Sequence, residues 1–255
     1  VFLRTWREGA RQFPVLFFRG VCWIIGVRVE ISGEFADNGP VLIVSNHSSW
    51  LDIPAISCCG PVSFVAKHEI AAWPLFGLLA KLQRSIFINR NRRHATGPAT
   101  TQLAERLADG DKIVLFAEGT SSDGNRVLPF KSAIIGAAEK AFHQSGYDDI
   151  MVQPMSITYI RRRGLPISRV DRPYFTWFGN MELLPHMWGV LMRTPIDIAI
   201  QIGEPHRISE YANRKELSRQ LETDVRRMVL SSILGRPLDE EDVVPAPERL
   251  AYKPV

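Results

Sequence analysis

The sequence predicts an α/β fold: a largely parallel central sheet flanked by helices, with an amphipathic helical segment at the N-terminus. Three observations carry that prediction. Short β-branched runs alternate with longer stretches of helical spacing. Several of those runs are almost continuously apolar, as expected of strands buried on both faces. The first 26 residues mix aromatic and aliphatic residues with arginines and lack strand alternation.

The elements follow in chain order. Phe13, Leu16, Phe17, Phe18, Val21, Trp23, Ile24 and Ile25 surround a single charge at Arg19, and Arg4, Trp6, Arg7 and Arg11 precede them. This composition suits a helix lying in a membrane interface, or equally one packed on a domain core. Strands are expected at Val27–Ile31, Val41–Val44, Val62–Ala66, Ser85–Ile88, Ile113–Ala117, Met151–Thr158 and Ile196–Ile202. Helices are expected at Trp50–Ser57, Glu69–Leu82, Ala95–Ala108, Ser132–Ser145 and Ser209–Leu234. Ser209 is a candidate N-cap for the last helix, with Leu217, Leu221, Val225, Met228 and Val229 as its apolar stripe. Phe76, Leu78, Leu79 and Leu82 are expected in the core, with an apolar groove as the competing reading. The chain then divides into a helical membrane-interface segment (1–26), one α/β domain (27–235) and an extended Pro- and acid-rich tail (236–255).

Composition bounds the function. The chain has 255 residues, 45% of them hydrophobic, enough for one substantial core. Its 31 basic and 27 acidic residues leave a charge of +4, a mild excess suited to anionic lipid or an anionic co-substrate. No nucleic-acid motif and no metal-ligand spacing is present, so neither nucleic acid nor a bound metal is expected. Cys22 and the adjacent Cys58 and Cys59 read as small apolar residues in a reducing compartment. No run of about 20 apolar residues exists to span a membrane.

Three strand exits carry chemistry. Asn46-His47-Ser48-Ser49-Trp50-Leu51-Asp52 follows the second strand. A histidine there can take a proton from a hydroxyl near neutral pH, and a nearby carboxylate can fix its tautomer. Five positions on a regular helix separate two side chains by roughly 140°. His47 and Asp52 can therefore meet only if His47 is still in the loop and Asp52 is in the first helical turn. Ser48 and Ser49 are candidate N-caps for such a start.

Phe87-Ile88-Asn89-Arg90, with Arg92 and Arg93, closes the fourth strand and offers donor forks to phosphate or carboxylate. Phe116-Ala117-Glu118-Gly119-Thr120-Ser121 follows the fifth strand. There Glu118, Thr120 and Ser121 can hydrogen-bond a hydroxyl-rich ligand, and Gly119 admits close backbone approach. Arg126 and Lys131 supply cations downstream. In a parallel sheet such exits share one edge, where open α/β folds place their ligands.

This ordered set resembles the 1-acyl-sn-glycerol-3-phosphate acyltransferase family of glycerolipid acyltransferases. The first block looks like its His-x-x-x-x-Asp motif. Phe87 to Arg90 looks like its second block, Phe116 to Thr120 its third and Val152-Gln153-Pro154 its fourth. The match runs from about Val41 to Tyr159. Two positions depart from the family pattern: Ala117 stands in place of the usual proline, and Ser121 in place of the arginine that commonly follows Glu-Gly-Thr.

The resemblance implies an O-acyltransferase that moves a fatty acyl group from acyl-CoA or acyl carrier protein to a lysolipid hydroxyl in phospholipid biosynthesis. It implies His47 and Asp52 as catalytic residues. It implies substrate contacts at Asn46, Lys67, Arg90, Glu118, Gly119, Thr120, Ser121, Arg126 and Lys131. No cofactor is implied beyond the thioester co-substrate. The expected place is the cytoplasmic face of the inner cell membrane, peripheral or shallowly embedded. The acceptor expected from the family is 1-acyl-sn-glycerol-3-phosphate. The missing arginine keeps open a branch resembling lyso-ornithine-lipid acyltransferases, unless Arg126 replaces that cation. Readings from other classes are a lipid hydrolase using Ser48 or Ser49, which lacks a Gly-x-Ser-x-Gly elbow, and a non-catalytic lipid-binding protein.

Overall fold

The computed structural model describes residues 2–37, 41–73, 76–88, 101–103, 105–107, 109–136 and 151–238. A nine-stranded sheet organises them. Its strands are β1 (Val27–Ser32), β2 (Val41–Ser45), β3 (Val62–Lys67), β4 (Ile86–Ile88), β5 (Lys112–Phe116), β6 (Met151–Arg162), β7 (Leu165–Pro166), β8 (Ile196–Ile202) and β9 (His206–Arg207). The main path is β1-β8-β6-β2-β5-β3-β4, with the two-residue strands β7 and β9 paired to β6. From β6 to β4 all neighbours are parallel. β8 joins β6 antiparallel, and β1 is parallel to β8. All seven expected strands are present; the sequence did not indicate that the last pair reverses direction.

The helices are α1 (Phe2–Ile25), α2 (Asp52–Ser57), α3 (Phe76–Leu82), α4 (Leu183–Leu191) and α5 (Arg214–Leu234). Residues 101–103, 105–107 and 132–136 are also helical. The pleat sends alternate side chains to two cores. Val41 and Ile43 of β2 face a cluster shared with Phe18 and Cys22 of α1, Ala55 and Ile56 of α2 and Val190 of α4. Leu42 and Val44 face the other cluster, with Leu103, Leu107, Ile135 and the α5 stripe Leu217, Leu221, Val225 and Val229. Each such fully buried side chain contributes about 1.5–3 kcal/mol. The chain therefore leaves β2 toward one face of the sheet and leaves β5 toward the other. Diverging exits of this kind open a crevice between neighbouring strands.

Four local expectations are corrected. The stretch Glu69–Leu82 is not one helix: a 3₁₀ turn (His68–Ala72) gives way at Trp73 to extended backbone (φ −75°, ψ 130°). The residue before a proline is driven there by the proline ring, and α3 follows. Leu78 and Leu82 of α3 are exposed rather than core. Asn213, not Ser209, caps α5: its side chain accepts from the Lys215 and Glu216 backbone N–H groups, and Ser209 lies in a preceding 3₁₀ turn. Neither Ser48 nor Ser49 caps α2, whose N-cap is Leu51 without a side-chain hydrogen bond. The stretches Ala95–Ala108 and Ser132–Ser145 fall partly, and the tail beyond residue 238 wholly, outside the described residues.

On α1, Val15, Phe18 and Cys22 are buried at i, i+3, i+7 spacing, while Phe13, Leu16, Trp23 and Ile24 face outward. Arg19 fixes this helix to α2 by donating twice to the Cys58 carbonyl (3.1 and 3.0 Å). The Cys22 and Cys58 sulfurs lie 3.7 Å apart, unbonded and buried, and Cys59 is partly exposed. No described helix is long and apolar enough to cross a membrane.

Candidate active site

β2 ends at Ser45, and the chain turns out of the sheet through residues 46–49. Asn46 makes that exit tight. Its carboxamide acts as one more strand residue against β6: Nδ2 donates to the Ile157 carbonyl and Oδ1 accepts the Ile157 N–H, both at 2.9 Å. Asn46 is buried, with both ends of its carboxamide engaged by β6.

His47 is in the loop and Asp52 is the first residue of α2, which lets them meet: Nδ1 lies 2.8 Å from Oδ2. Asp52 is fully buried, yet four donors surround it. Oδ2 also accepts the backbone N–H groups of Ser48 (2.7 Å) and Ser49 (2.9 Å), and Oδ1 accepts the Tyr159 hydroxyl (2.7 Å). The Asp52 carboxylate thus closes the turn that precedes its own helix, the task expected of Ser48 and Ser49. With only acceptors on Asp52, Nδ1 of His47 carries the proton and Nε2 keeps the lone pair. Burial, reinforced by the Asp52 charge, pushes the Tyr159 phenol well above its ordinary range, so it stays a donor. The His47 ring lies flat on Phe116 at the end of β5 (centroids 4.1 Å apart, planes at 19°).

The β5 exit packs directly beside this loop. The Ser122 N–H donates to the His47 carbonyl (2.9 Å), and the Trp177 N–H donates to the Ser48 carbonyl (2.8 Å). Gly119 adopts φ +69°, and a Cβ there would meet Lys131 Nζ at 3.0 Å and Cδ at 3.1 Å, so a side chain would displace Lys131. Glu118 departs from expectation. It is 1% exposed, Oε1 accepts the Leu128 N–H at 3.3 Å, and Oε2 makes no close hydrogen bond among the described residues. Burial pushes its carboxyl well above the usual carboxylate range, against the pull of the Leu128 and His47 backbone N–H groups. It braces the inner side of the loop instead of presenting a carboxylate to solvent.

Ser121, where the family pattern has arginine, donates its hydroxyl to the Trp177 carbonyl (2.5 Å). That bond ties the loop to the segment running into α4. Buried Arg172 completes the tie, donating to the Tyr159 carbonyl, the Ile167 carbonyl and Asn125 Oδ1. Thr120, Arg126 and Lys131 are exposed on this loop, and Lys67 is exposed at the end of β3. Arg90 lies outside the described residues. Its strand, β4, stands two places beyond β5. His47 and Glu118 therefore occupy adjacent exits. Ser48 and Ser49 hydroxyls are buried, which removes both as exposed nucleophiles. No cluster of metal-ligating residues occurs among the described residues.

Three contributors escaped sequence reading: Tyr159, Arg172 and Trp177. Only Tyr159 carried a usable signal, because a tyrosine inside an otherwise apolar strand needs a partner for its hydroxyl.

The acyltransferase family pattern matches residues 26–158. A lyso-ornithine lipid O-acyltransferase of Brucella abortus is 44% identical over 94% of this chain and 90% of its own length. One from Rhizobium meliloti is 40% identical over 93% of this chain and 81% of its own. A 1-acyl-sn-glycerol-3-phosphate acyltransferase of Neisseria meningitidis is 30% identical over 87% and 82%. The crystal structure of the 1-acyl-sn-glycerophosphate acyltransferase of Thermotoga maritima superposes with a TM-score of 0.62 over 88% of this chain and 82% of that one, at 24% identity, a likeness of fold. The matched region holds the buried His47–Asp52 pair and both loops around it, and the chain belongs to the acyltransferase family.

Proposed function

We propose that this protein transfers a fatty acyl group from a thioester, acyl-CoA or acyl carrier protein, to the free hydroxyl of a lyso-ornithine lipid at a membrane surface. The observation that carries the chemistry is the 2.8 Å contact between His47 Nδ1 and an Asp52 carboxylate already held by three other donors. His47 Nε2 takes the hydroxyl proton as the oxygen attacks the thioester carbonyl. Asp52 holds the ring and stabilises the imidazolium that forms. The tetrahedral intermediate expels the thiolate, which recovers the proton from His47, so no covalent enzyme intermediate is needed.

Two findings support the acceptor. The relatives named above at 44% and 40% identity are lyso-ornithine lipid acyltransferases. Ser121, in place of a phosphate-binding arginine, is engaged with Trp177. Exposed Thr120, Arg126 and Lys131 are the proposed head-group contacts. Outward-facing Phe13, Leu16, Trp23 and Ile24 of α1 support contact with a bilayer.

The test incubates pure protein with each thioester against lyso-ornithine lipid and lysophosphatidate, reading products by mass. Acylated ornithine lipid, lost in His47→Ala, is the expected result. Preferential formation of phosphatidate would move the acceptor back to the phosphate-bearing lysolipid. Full activity in His47→Ala would end the base assignment.

A further inference from the structure

We propose that α4 and the β6–β7 turn form a second membrane-docking face, separate from α1, which seats the catalytic loop on a bilayer containing anionic lipid. The proposal rests on the lysolipid reading above for one premise only, that the acceptor resides in a membrane.

The face begins with helix geometry. Leu184, Trp188 and Met192 recur every four residues and so lie along one side of α4 and its C-cap. They are 72%, 67% and 62% exposed. A soluble surface scatters such residues singly; a continuous row of Leu, Trp and Met marks an interaction site. Between Leu183 and Arg193 no acidic residue occurs.

Cations rim the row. Arg193 follows Met192 and lies over the exposed Tyr174 ring, 5.0 Å from its centroid. The β6–β7 turn is held alongside, since Arg162 Nε donates to the Arg193 carbonyl and the Arg163 N–H donates to the Pro195 carbonyl. Arg163 sits at the tip of that turn with φ 51°, beside the exposed Leu165. Apolar anchors with an aromatic residue, edged by arginines, complement a headgroup layer carrying negative charge. The same chemistry explains why the occupant is a lipid surface and not a second protein: a protein interface would bury such a row against a matching apolar patch, whereas a bilayer also satisfies the arginine rim.

The opposite side of α4 reaches the chemistry. His186 lies about 200° around the helix from Leu184, and its Nδ1 accepts the Trp50 indole N–H at 3.1 Å. Trp50 is part of the loop between His47 and Asp52. A helix anchored in lipid would therefore hold the His47 loop at the level of the headgroups. Gly26, just after α1, lies against Thr194, just after α4, so the two helices end at the same corner of the molecule.

The test measures co-sedimentation of the full chain with phosphatidylcholine vesicles, with and without phosphatidylglycerol. Leu184→Ser/Trp188→Ser/Met192→Ser is expected to weaken partition by about tenfold or more on both vesicles. Arg163→Gln should lose only the phosphatidylglycerol-dependent part, about fivefold. Thermal melting checks the fold; should the triple variant melt early, Trp188→Ser alone must still weaken partition. Acyl transfer to lyso-ornithine lipid dispersed in detergent micelles should match wild type in the triple variant while transfer on vesicles falls. Unchanged partition in a folded triple variant overturns the proposal. So does an oligomer that the triple variant dissociates while vesicle binding persists. A wild type that binds vesicles but transfers nothing in micelles would instead defeat the acyltransfer reading and leave the docking face standing.

Discussion

Asp52→Asn isolates the charge at the centre of the site. The substitution keeps the shape of the side chain. The asparagine oxygen can still accept from His47 Nδ1 and the Ser48 and Ser49 N–H groups, and its NH₂ can turn to the Tyr159 hydroxyl, which is free to accept instead of donate. What disappears is the attraction between a carboxylate and the imidazolium that forms during attack. The Asp52 side chain is fully buried and that of His47 is 22% exposed, so an effective dielectric of about 20 is appropriate. With charge centres about 4 Å apart, the lost attraction is about 4 kcal/mol. At 1.36 kcal/mol per decade that is about a 10³-fold fall in kcat. The assay is steady-state acylation of lyso-ornithine lipid at saturating thioester, with circular dichroism and melting recorded on the same preparation. The loss should appear in kcat with KM little changed, because the substituted side chain is fully buried behind His47. A folded Asp52→Asn enzyme that lost less than about tenfold would refute the electrostatic role given to Asp52.

Two other substitutions probe the supports of the pair. Tyr159→Phe removes the donor to Asp52 Oδ1 inside the core, leaving a buried acceptor unpaired at a cost of about 1–3 kcal/mol. At about 2–4 °C per kcal/mol the melting point should drop by several degrees, and an unchanged melting point would count against the hydrogen bond. Glu118→Gln tests the buried carboxyl through pH. A carboxyl pKa raised by burial means the folded chain holds that proton more tightly than the unfolded one. Its contribution is complete below the unfolded value of about 4.3 and declines as pH rises toward the folded value. As pH rises above that unfolded value, wild type should therefore lose more urea resistance than Glu118→Gln; parallel losses would show that Glu118 ionises as freely as in water.

The sheet was legible because its strands are nearly all apolar, and burial on both faces leaves few alternatives for such runs. α1 was legible from the aromatic and aliphatic residues of Phe13 to Ile25 around the single charge at Arg19, and α5 from the spacing of Leu217, Leu221 and Val225. α4 was not, since Leu183 to Leu191 holds a proline, a glycine and apolar residues on every side, and no stripe separates from the rest. The His47–Asp52 contact was accessible as geometry: only a loop histidine and a first-turn aspartate could meet across five positions. The surroundings of Asn46 and Glu118 were not legible, for a common reason. Their side chains serve backbone groups brought near by tertiary structure, Ile157 and Leu128, and nothing local in the sequence names those partners. Ser121 was singled out for the arginine it replaces, but its bond to Trp177 crosses 56 positions.

The Tyr159 hydroxyl has a consequence for how the sheet finds its alignment. A parallel strand displaced by two residues keeps its apolar faces correctly inward, so hydrophobic pattern alone leaves β6 free to pair with β2 two residues out of step. Asn46 recognises the Ile157 peptide groups, and Asp52 recognises Tyr159 two residues further along the same strand. A β6 shifted by two residues would still offer Asn46 equivalent peptide groups, which recur at every second residue, but it would carry the Tyr159 hydroxyl away from buried Asp52 at a cost of about 1–3 kcal/mol. The bond that steadies the catalytic carboxylate thus also penalises the misaligned sheet, and a chain that has assembled its active site has already been checked for register.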